Sequence, residues 1–199
     1  MTSRVENLEF NDLGLEVLEK STLYTPTYVI PRGWNLPMNE ALENFAHSDF
    51  KKGIIRRELH GNLNWSELDW NIYNISRSDA RVKISTIKRR TEVSYNTIKK
   101  HFYDNVLPSC IIAHYFFPEG YPFYQQLVLK LSSKYEEGIV DELRKLPCTS
   151  YVFPLENSLF IALFHENTDF TMDIIQKLEE RAIIDDCLLF NPLTYHIPD

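Results

Sequence analysis

The sequence contains little glycine and few cysteines. It has 6 glycines against 10 prolines in 199 residues, which argues against collagen-like repeats and glycine-rich linkers. Its three cysteines form no CxxC pair, and an odd number is untypical of a disulfide framework. No apolar run approaches the roughly 18 residues that a membrane-spanning helix needs, and the first residues contain no apolar signal core. We therefore expect a compact cytoplasmic protein without a membrane partner.

Motifs for metal, nucleotide or acyl chemistry are also missing. None of the six histidines belongs to an HExxH motif or to a Cys/His spacing typical of zinc. There is no GxxxxGK[ST] loop, no GxGxxG and no GxSxG elbow. The sequence therefore predicts no catalytic residue, no metal and no cofactor.

Charge is distributed unevenly along the chain. The net charge is -7, but residues 77–101 contain eight Lys and Arg against two acidic residues, a local charge of +6. The remainder therefore carries -13. Such segregation allows one surface to meet a polyanion while the rest of the protein stays soluble. A solvated helix face is the alternative interpretation of this segment.

We divide the chain into three sections, the first of which is a small α/β section over residues 1–62. It contains one amphipathic helix around Met38–Ala46 and a strand-like run, Gly53–Leu59. Its prolines predict short or edge strands. The helix resembles residues 172–179 in sequence and in its distance from the next apolar run. A partial repeat of the last section would explain this, but chance similarity of two amphipathic helices explains it at least as well.

The second section, residues 63–108, is predicted to contain three helices. Ser66 and Asp69 form a capping box at the start of the first helix. The second helix covers about 83–91, and the third is capped by Ser94 and stopped by Pro108. Apolar residues recur at helical spacing on one face of each helix, at Leu68, Ile72 and Ile75, then Ile84 and Ile87, then Tyr95, Ile98 and Phe102.

The third section, residues 109–199, has strand and helix signals in the order βαββαβ. This order is typical of a ferredoxin-like domain, with two helices on one face of an antiparallel sheet. Residues 110–117 before it are expected to supply a strand or a wing. The predicted elements are strand 124–131, helix 136–146, strands 151–153 and 159–164, helix 169–181 and strand 187–190.

The second and third sections together resemble the Lrp/AsnC (feast/famine) transcriptional regulators. The helix-turn-helix of that family is similar to four successive parts of this sequence. They are Leu68-Asp69-x-x-Ile72-x-x-Ile75, then Asp79-Ala80-Arg81, then Ile87, then Ser94-x-x-Thr97-Ile98. The βαββαβ section is similar to its ligand-binding and oligomerisation domain, so the resemblance covers about residues 66–199. The expected fold class is α+β, with a winged-helix-like helix-turn-helix domain, a ferredoxin-like domain and the first section in front.

The resemblance implies a DNA-binding surface. The third helix would be the recognition helix, with amide and hydroxyl groups for bases and lysines for phosphates. The second helix and the residues before it would lie along the DNA backbone. The implied contacts are Ser94, Tyr95, Asn96, Thr97, Lys99 and Lys100, then Lys88, Arg89, Arg90 and Arg81.

Two positions differ from the family. Lys88 stands where a small residue is usual, because two helices cross closely there. Glu92 stands where glycine is frequent, because the turn requires a left-handed backbone. A non-glycine residue in that conformation costs about 1 to 2 kcal/mol.

The family also implies partners. Its members bind double-stranded DNA as dimers or larger assemblies, and many sense a small molecule such as an amino acid. Effector contacts cannot be carried over, since Leu155–Ser158 replaces the expected glycine-acidic turn. We expect a homodimer built through edge strands with Leu127, Leu129 and Leu131, and recognition helices about 34 Å apart. The alternatives are an assembly module without DNA contacts and an enzyme similar to siroheme decarboxylases.

Overall fold

The chain leaves one folded unit after Leu59 and returns to it at Pro118. Met1–Leu59 and Pro118–Asp199 form this sheet unit, and His60–Phe117 form a separate helical unit. The computed structural model describes residues 21–22, 24–59, 63–79, 81–111 and 114–192. The beginning of the predicted first section and the end of the third therefore lie outside the described residues.

The described residues contain helices and strands in alternating groups. In chain order the elements are β1 (Thr27–Val29), α1 (Met38–Ala46), α2 (Glu67–Ser76), α3 (Ile84–Thr91), α4 (Tyr95–His101), β2 (Gln125–Ser132), α5 (Glu136–Glu142), β3 (Ser150–Pro154), β4 (Leu159–His165), α6 (Thr168–Glu180) and β5 (Asp186–Phe190). A π-helical turn, Phe102–Val106, and a 3-10 turn, Leu107–Ser109, follow α4 directly.

The strands form an antiparallel sheet in the order β1-β3-β4-β2-β5. The last four strands with α5 and α6 have the predicted βαββαβ order, so the expected ferredoxin-like arrangement is confirmed. β1 adds a fifth strand beside β3, with Thr27 opposite Val152 and Val29 opposite Ser150. The first section therefore shares a sheet with the third.

One face of the sheet is covered by α1, α5 and α6. Leu129 and Leu131 line the same apolar space as Phe45 of α1 and Ile174 of α6. With Leu127, they are between 2% and 4% exposed. β2 also lies between β4 and β5 instead of at an edge. The prediction that these leucines build a dimer through an edge strand is therefore wrong, because they belong to the core of one subunit.

The opposite face of the sheet carries aromatic side chains. The rings of Tyr28 and Tyr151 lie 5.4 Å apart, and those of Phe153 and Phe160 lie 6.2 Å apart, both edge-to-face. On this face Lys130 of β2 is opposite Leu188 of β5. Leu188 is 51% exposed, and Phe190 on the same face is 49% exposed. This face therefore ends in exposed apolar side chains at β5.

One predicted strand is not formed, and a second is not found in the described part of its segment. Residues 53–59 are extended but pair with no strand, since their hydrogen bonds go mainly to the loop and helix around Lys134–Glu137. Residues 110–111 and 114–117 also contain no strand, so the described part of this segment supplies no wing. Alternating apolar residues indicate an extended chain, but a strand also needs a neighbouring edge with free backbone groups.

The helical unit has a small core of its own. Ile72, Ile87, Ile98 and Val106 are buried together, one each from α2, α3, α4 and the π-helical turn. Trp65 packs on this cluster, and its ring lies 4.8 Å from that of Trp70. The predicted capping box is confirmed: the Asp69 amide donates to Ser66 Oγ, and the Ser66 amide donates to Asp69 Oδ2 at 2.8 Å.

Candidate nucleic-acid interface

α3 and α4 are joined by a tight turn of three residues. Glu92 has φ 58° and ψ 15°, the left-handed conformation predicted for this position, and its amide donates to the Lys88 carbonyl at 2.9 Å. Ser94 then caps α4, with its Oγ accepting from the Thr97 amide at 3.2 Å. The turn thus has the form of a helix-turn-helix, and Glu92 carries the backbone strain.

One buried side chain marks the inner side of α4. Ile98 is completely buried in the core of the helical unit. The remaining predicted contact residues of α4 are exposed: Tyr95, Asn96, Thr97, Lys99 and Lys100. Because Ile98 lies on the inner side of this two-turn helix, Asn96, Thr97, Lys99 and Lys100 face away from it. Tyr95, three residues before Ile98, is 46% exposed at the edge of the inner side.

The cations of α3 are also exposed. Lys88, Arg89 and Arg90 form the last turn of the helix, where positive side chains complement the helix dipole. Lys88 is solvent-exposed, so the long side chain that replaces a small residue avoids the crossing of α3 with α4. Arg81 is exposed before α3, and its amide donates to Asp79 Oδ1 at 2.9 Å. The predicted contact residues of α3 and α4 are thus all accessible to solvent.

A buried carboxylate connects α2 to the far end of α4. Asp69 is 1% exposed, and its Oδ1 lies 2.8 Å from His101 Nδ1 and 3.1 Å from Asn105 Nδ2. Burial opposes ionisation of this group, but the hydrogen bonds from Ser66, His101 and Asn105 outweigh it and lower the pKa of Asp69 to about 2. Asp69 therefore stays charged at neutral pH and holds α4 in position.

The contact of Asp69 with α4 was not predicted from the sequence, and one accessible side chain was left out of the predicted DNA contacts. Asp69 was assigned only to the helix cap. Its partners His101 and Asn105 lie 32 and 36 residues further along the chain, and a local sequence pattern cannot predict a contact over that separation. Tyr103, in the π-helical turn that continues α4, is 50% exposed and lies four residues after Lys99. It extends the exposed side of α4 by another turn. Its helical spacing from Asn96 and Lys99 was the available signal.

Nucleophilic chemistry has little support in the described residues. Burial raises the pKa of all three cysteine thiols. The pKa of Cys148 rises to about 12 and that of Cys187 to about 11, and the pKa of Cys110 is also raised. These thiols are therefore protonated at neutral pH and are weak nucleophiles. No group of three His, Cys, Asp or Glu side chains in the described ranges is arranged to hold a metal ion. None of the helices found there is long and apolar enough to span a membrane.

Comparison with known proteins gives similarity in structure alone. No protein-family model matches the chain, and no curated protein matches it significantly. MtbAldR is 12% identical, with a TM-score of 0.45 over 68% of this chain and 98% of that one. A transcriptional regulatory protein of Pyrococcus furiosus, a member of the AsnC family, is 18% identical, with a TM-score of 0.46 over 67% and 92%.

E. coli AsnC is similar to the same degree, at 18% identity and a TM-score of 0.45 over 68% of this chain and 96% of that one. The chain is thus similar in structure to AsnC-type regulators, the family that its sequence resembles.

Proposed function

We propose that this protein is a transcriptional regulator that binds duplex DNA through α3 and α4. The observation that carries the proposal is the exposed outer side of α4. Asn96, Lys99 and Lys100 share this side, while Ile98 is buried behind them. The local charge of residues 77–101 has the sign that a polyanion requires.

The side chains divide into two chemical roles. Asn96 carries an amide that can bond the edge of adenine in the major groove, and the Thr97 and Tyr95 hydroxyls can bond bases or phosphates. Lys99 and Lys100, with Lys88, Arg89 and Arg90 of α3, neutralise phosphates and fix the position of the protein on the duplex. Arg81 supplies a further cation before α3.

We also propose that the protein acts as a homodimer. The aromatic face of the sheet supports this, because it ends in the exposed side chains Leu188 and Phe190. A symmetric pair of such faces would bury them in the contact. A dimer would present two α4 helices to successive major grooves, so the binding site is expected to be roughly palindromic with half-sites about 34 Å apart.

The cavity between the sheet and its helices does not suit an amino-acid effector. It has a volume of about 20 Å³, room for about one water molecule, and Thr171 is the polar residue among its lining side chains. The charged groups of an amino acid would be left without partners there. An effector of that class would therefore bind at another place.

The first experiment is selection of bound duplexes from a random DNA library. It reports binding, site symmetry and half-site spacing together. The affinity for the selected site is then measured by fluorescence anisotropy at several salt concentrations. We expect the logarithm of the association constant to fall linearly with the logarithm of salt concentration.

Substitutions then test the residues. Lys99→Ala with Lys100→Ala is expected to reduce the salt slope by about 2, and Asn96→Ala to relax the sequence preference. Arg32→Ala removes an exposed cation of the sheet unit and is the control. Weak binding that Lys99→Ala and Lys100→Ala leave unchanged would contradict the proposal and favour an assembly module. A coloured preparation containing a tetrapyrrole would favour the enzyme.

A further inference from the structure

The sheet unit is acidic overall, with 13 Lys and Arg against 23 Asp and Glu. Many of its cations are used internally. The internal contacts are Arg57 with Glu136, Arg144 with Asp141, Lys145 with Glu142, Lys177 with Glu43, and Arg181 with the carbonyls of Ala46 and Ser48. A group of exposed cations within such a unit therefore stands out from its surroundings.

Such a group lies on the extended segment of residues 50–59, here called the arm. Lys51, Lys52 and Arg56 of the arm are exposed, and the Gly53 amide donates to the carbonyl of exposed Lys134 at 3.0 Å. These four cations form the arm cluster. We infer that the arm cluster binds phosphates of the DNA backbone as a second contact surface, which rests on the DNA-binding function proposed above.

The carboxylates near the arm cluster neutralise it only in part. Glu137 lies 3.7 Å from Lys51, and Glu58 lies 3.1 Å from Arg56. The Lys51 and Arg56 side chains remain 78% and 87% exposed in these pairs, and exposed pairs contribute little energy. Lys52 lies over the ring of Tyr135, 5.7 Å from its centre. Phosphates can therefore compete with both carboxylates at little cost.

The arm is held firmly, so its cations are presented on a preformed backbone. Glu136 is 2% exposed and accepts from the Ile55 amide at 3.0 Å and from Arg57 Nη2 at 2.7 Å. Arg57 also donates to the Leu155 carbonyl at 2.9 Å. The Glu137 amide donates to the Gly53 carbonyl at 3.0 Å. A preformed backbone reduces the entropy lost on binding.

The spacing of the cations favours a ligand with repeated phosphates. Lys52 and Arg56 are four residues apart in an extended chain, a backbone distance of about 13 Å. Their backbone positions therefore follow a line along which a phosphodiester backbone offers several phosphates. Ile54 between them is 56% exposed, but a single apolar side chain provides little area for insertion into a membrane.

The test uses the full chain with Lys51→Gln, Lys52→Gln and Lys134→Gln combined. Affinity is measured against salt concentration for the selected duplex and for a duplex of random sequence. We expect the salt slope to fall by about 2 to 3, the affinity at 100 mM salt to fall about tenfold on both duplexes, and the sequence preference to stay unchanged. Arg32→Gln, which removes a cation outside the arm cluster, should leave the slope unchanged.

Each opposite result has a distinct meaning. An unchanged slope in the triple variant, with a reduced slope after Lys99→Ala and Lys100→Ala, would overturn the arm contact and leave the proposed function standing. An absence of salt-dependent binding in the unmodified protein would overturn both. If the triple variant keeps the DNA slope but loses binding to vesicles containing phosphatidylserine, the surface recognises lipid and the inference is wrong.

Discussion

Oδ1 of Asp69 and Nδ1 of His101 lie 2.8 Å apart and connect the first turn of α2 to the last residue of α4. The contact is nearly shielded from water, since the Asp69 side chain is 2% exposed and that of His101 is 27% exposed. The position of α4 in the helical unit therefore depends on one buried charge as well as on the packing of Ile98.

Asp69→Asn is expected to destabilise the helical unit above pH 4 and to remove part of its acid sensitivity. The folded pKa of about 2 lies below the unfolded value of 3.8, so the ionised group stabilises fully above about pH 4, and this stabilisation is lost as pH falls through 2. It amounts to about 2 kcal/mol. Urea unfolding between pH 2 and 7 measures it.

The exposed neighbour Glu67 provides the control for that experiment. Glu67→Gln removes an exposed carboxylate from the same helical turn, and we expect it to cost less stability at pH 7 than Asp69→Asn does. Identical acid limbs for Asp69→Asn and the unmodified protein would show that the buried carboxylate does not hold α4.

Glu92→Gly is expected to stabilise the helical unit by about 1 kcal/mol. Glycine removes the left-handed strain of about 1 to 2 kcal/mol, and its greater freedom in the unfolded chain offsets part of the gain. Glu92→Ala keeps the strain while removing the charge, so it should give no gain. Thermal unfolding of the two variants compares them. Equal melting temperatures would mean that the turn adjusts without strain.

Local patterns predicted a large part of the fold. The capping box of Ser66 and Asp69 and the helical spacing of Leu68, Ile72 and Ile75 predicted α2. Apolar runs between turns predicted the βαββαβ elements. The pairing of β1 with β3 was not predictable, because Thr27 and Val152 are 125 residues apart and β1 has only three residues. Leu127 was misassigned because a core side chain and an interface side chain have the same hydrophobicity.

The candidate site was predictable where it is local. Tyr95 to Lys100 follow the Ser94 cap directly. The left-handed conformation of Glu92 was expected from the resemblance, since the family often has glycine at that position. The arm cluster was not recognised, because its four cations come from two segments, around Gly53 and around Lys134, which meet only in the folded sheet unit.

Gly138→Ala is expected to destabilise the sheet unit by about 1 to 2 kcal/mol, the opposite of the helix-propensity effect. Alanine normally favours a helix over glycine by about 1 kcal/mol. Here a Cβ on Gly138 of α5 would lie 2.6 Å from both N and O of Lys51, and overpacking costs about 1 to 3 kcal/mol. Urea unfolding measures the change, with Asp141→Ala on the exposed side of α5 as control. If Gly138→Ala instead raised the free energy of unfolding, the arm would be able to move away from the added Cβ without losing stability.

Leu188→Glu combined with Phe190→Glu is expected to convert the proposed dimer to a monomer. Two charges in place of exposed apolar side chains would have to be desolvated in the contact. Sedimentation at micromolar concentration measures the mass. Ile54→Glu, an equally exposed apolar position on the arm, should leave the dimer intact. A monomeric unmodified protein would contradict the dimer itself.

The discontinuous sheet unit has a consequence for synthesis. β1 emerges from the ribosome more than a hundred residues before β3, the strand with which it pairs. The residues of the helical unit are contiguous, so this unit can fold on the nascent chain before the other strands of the sheet are synthesised. Until then β1 and α1 have no sheet to pack against. The speed of translation after residue 117 should therefore influence how much of the sheet unit reaches its native pairing.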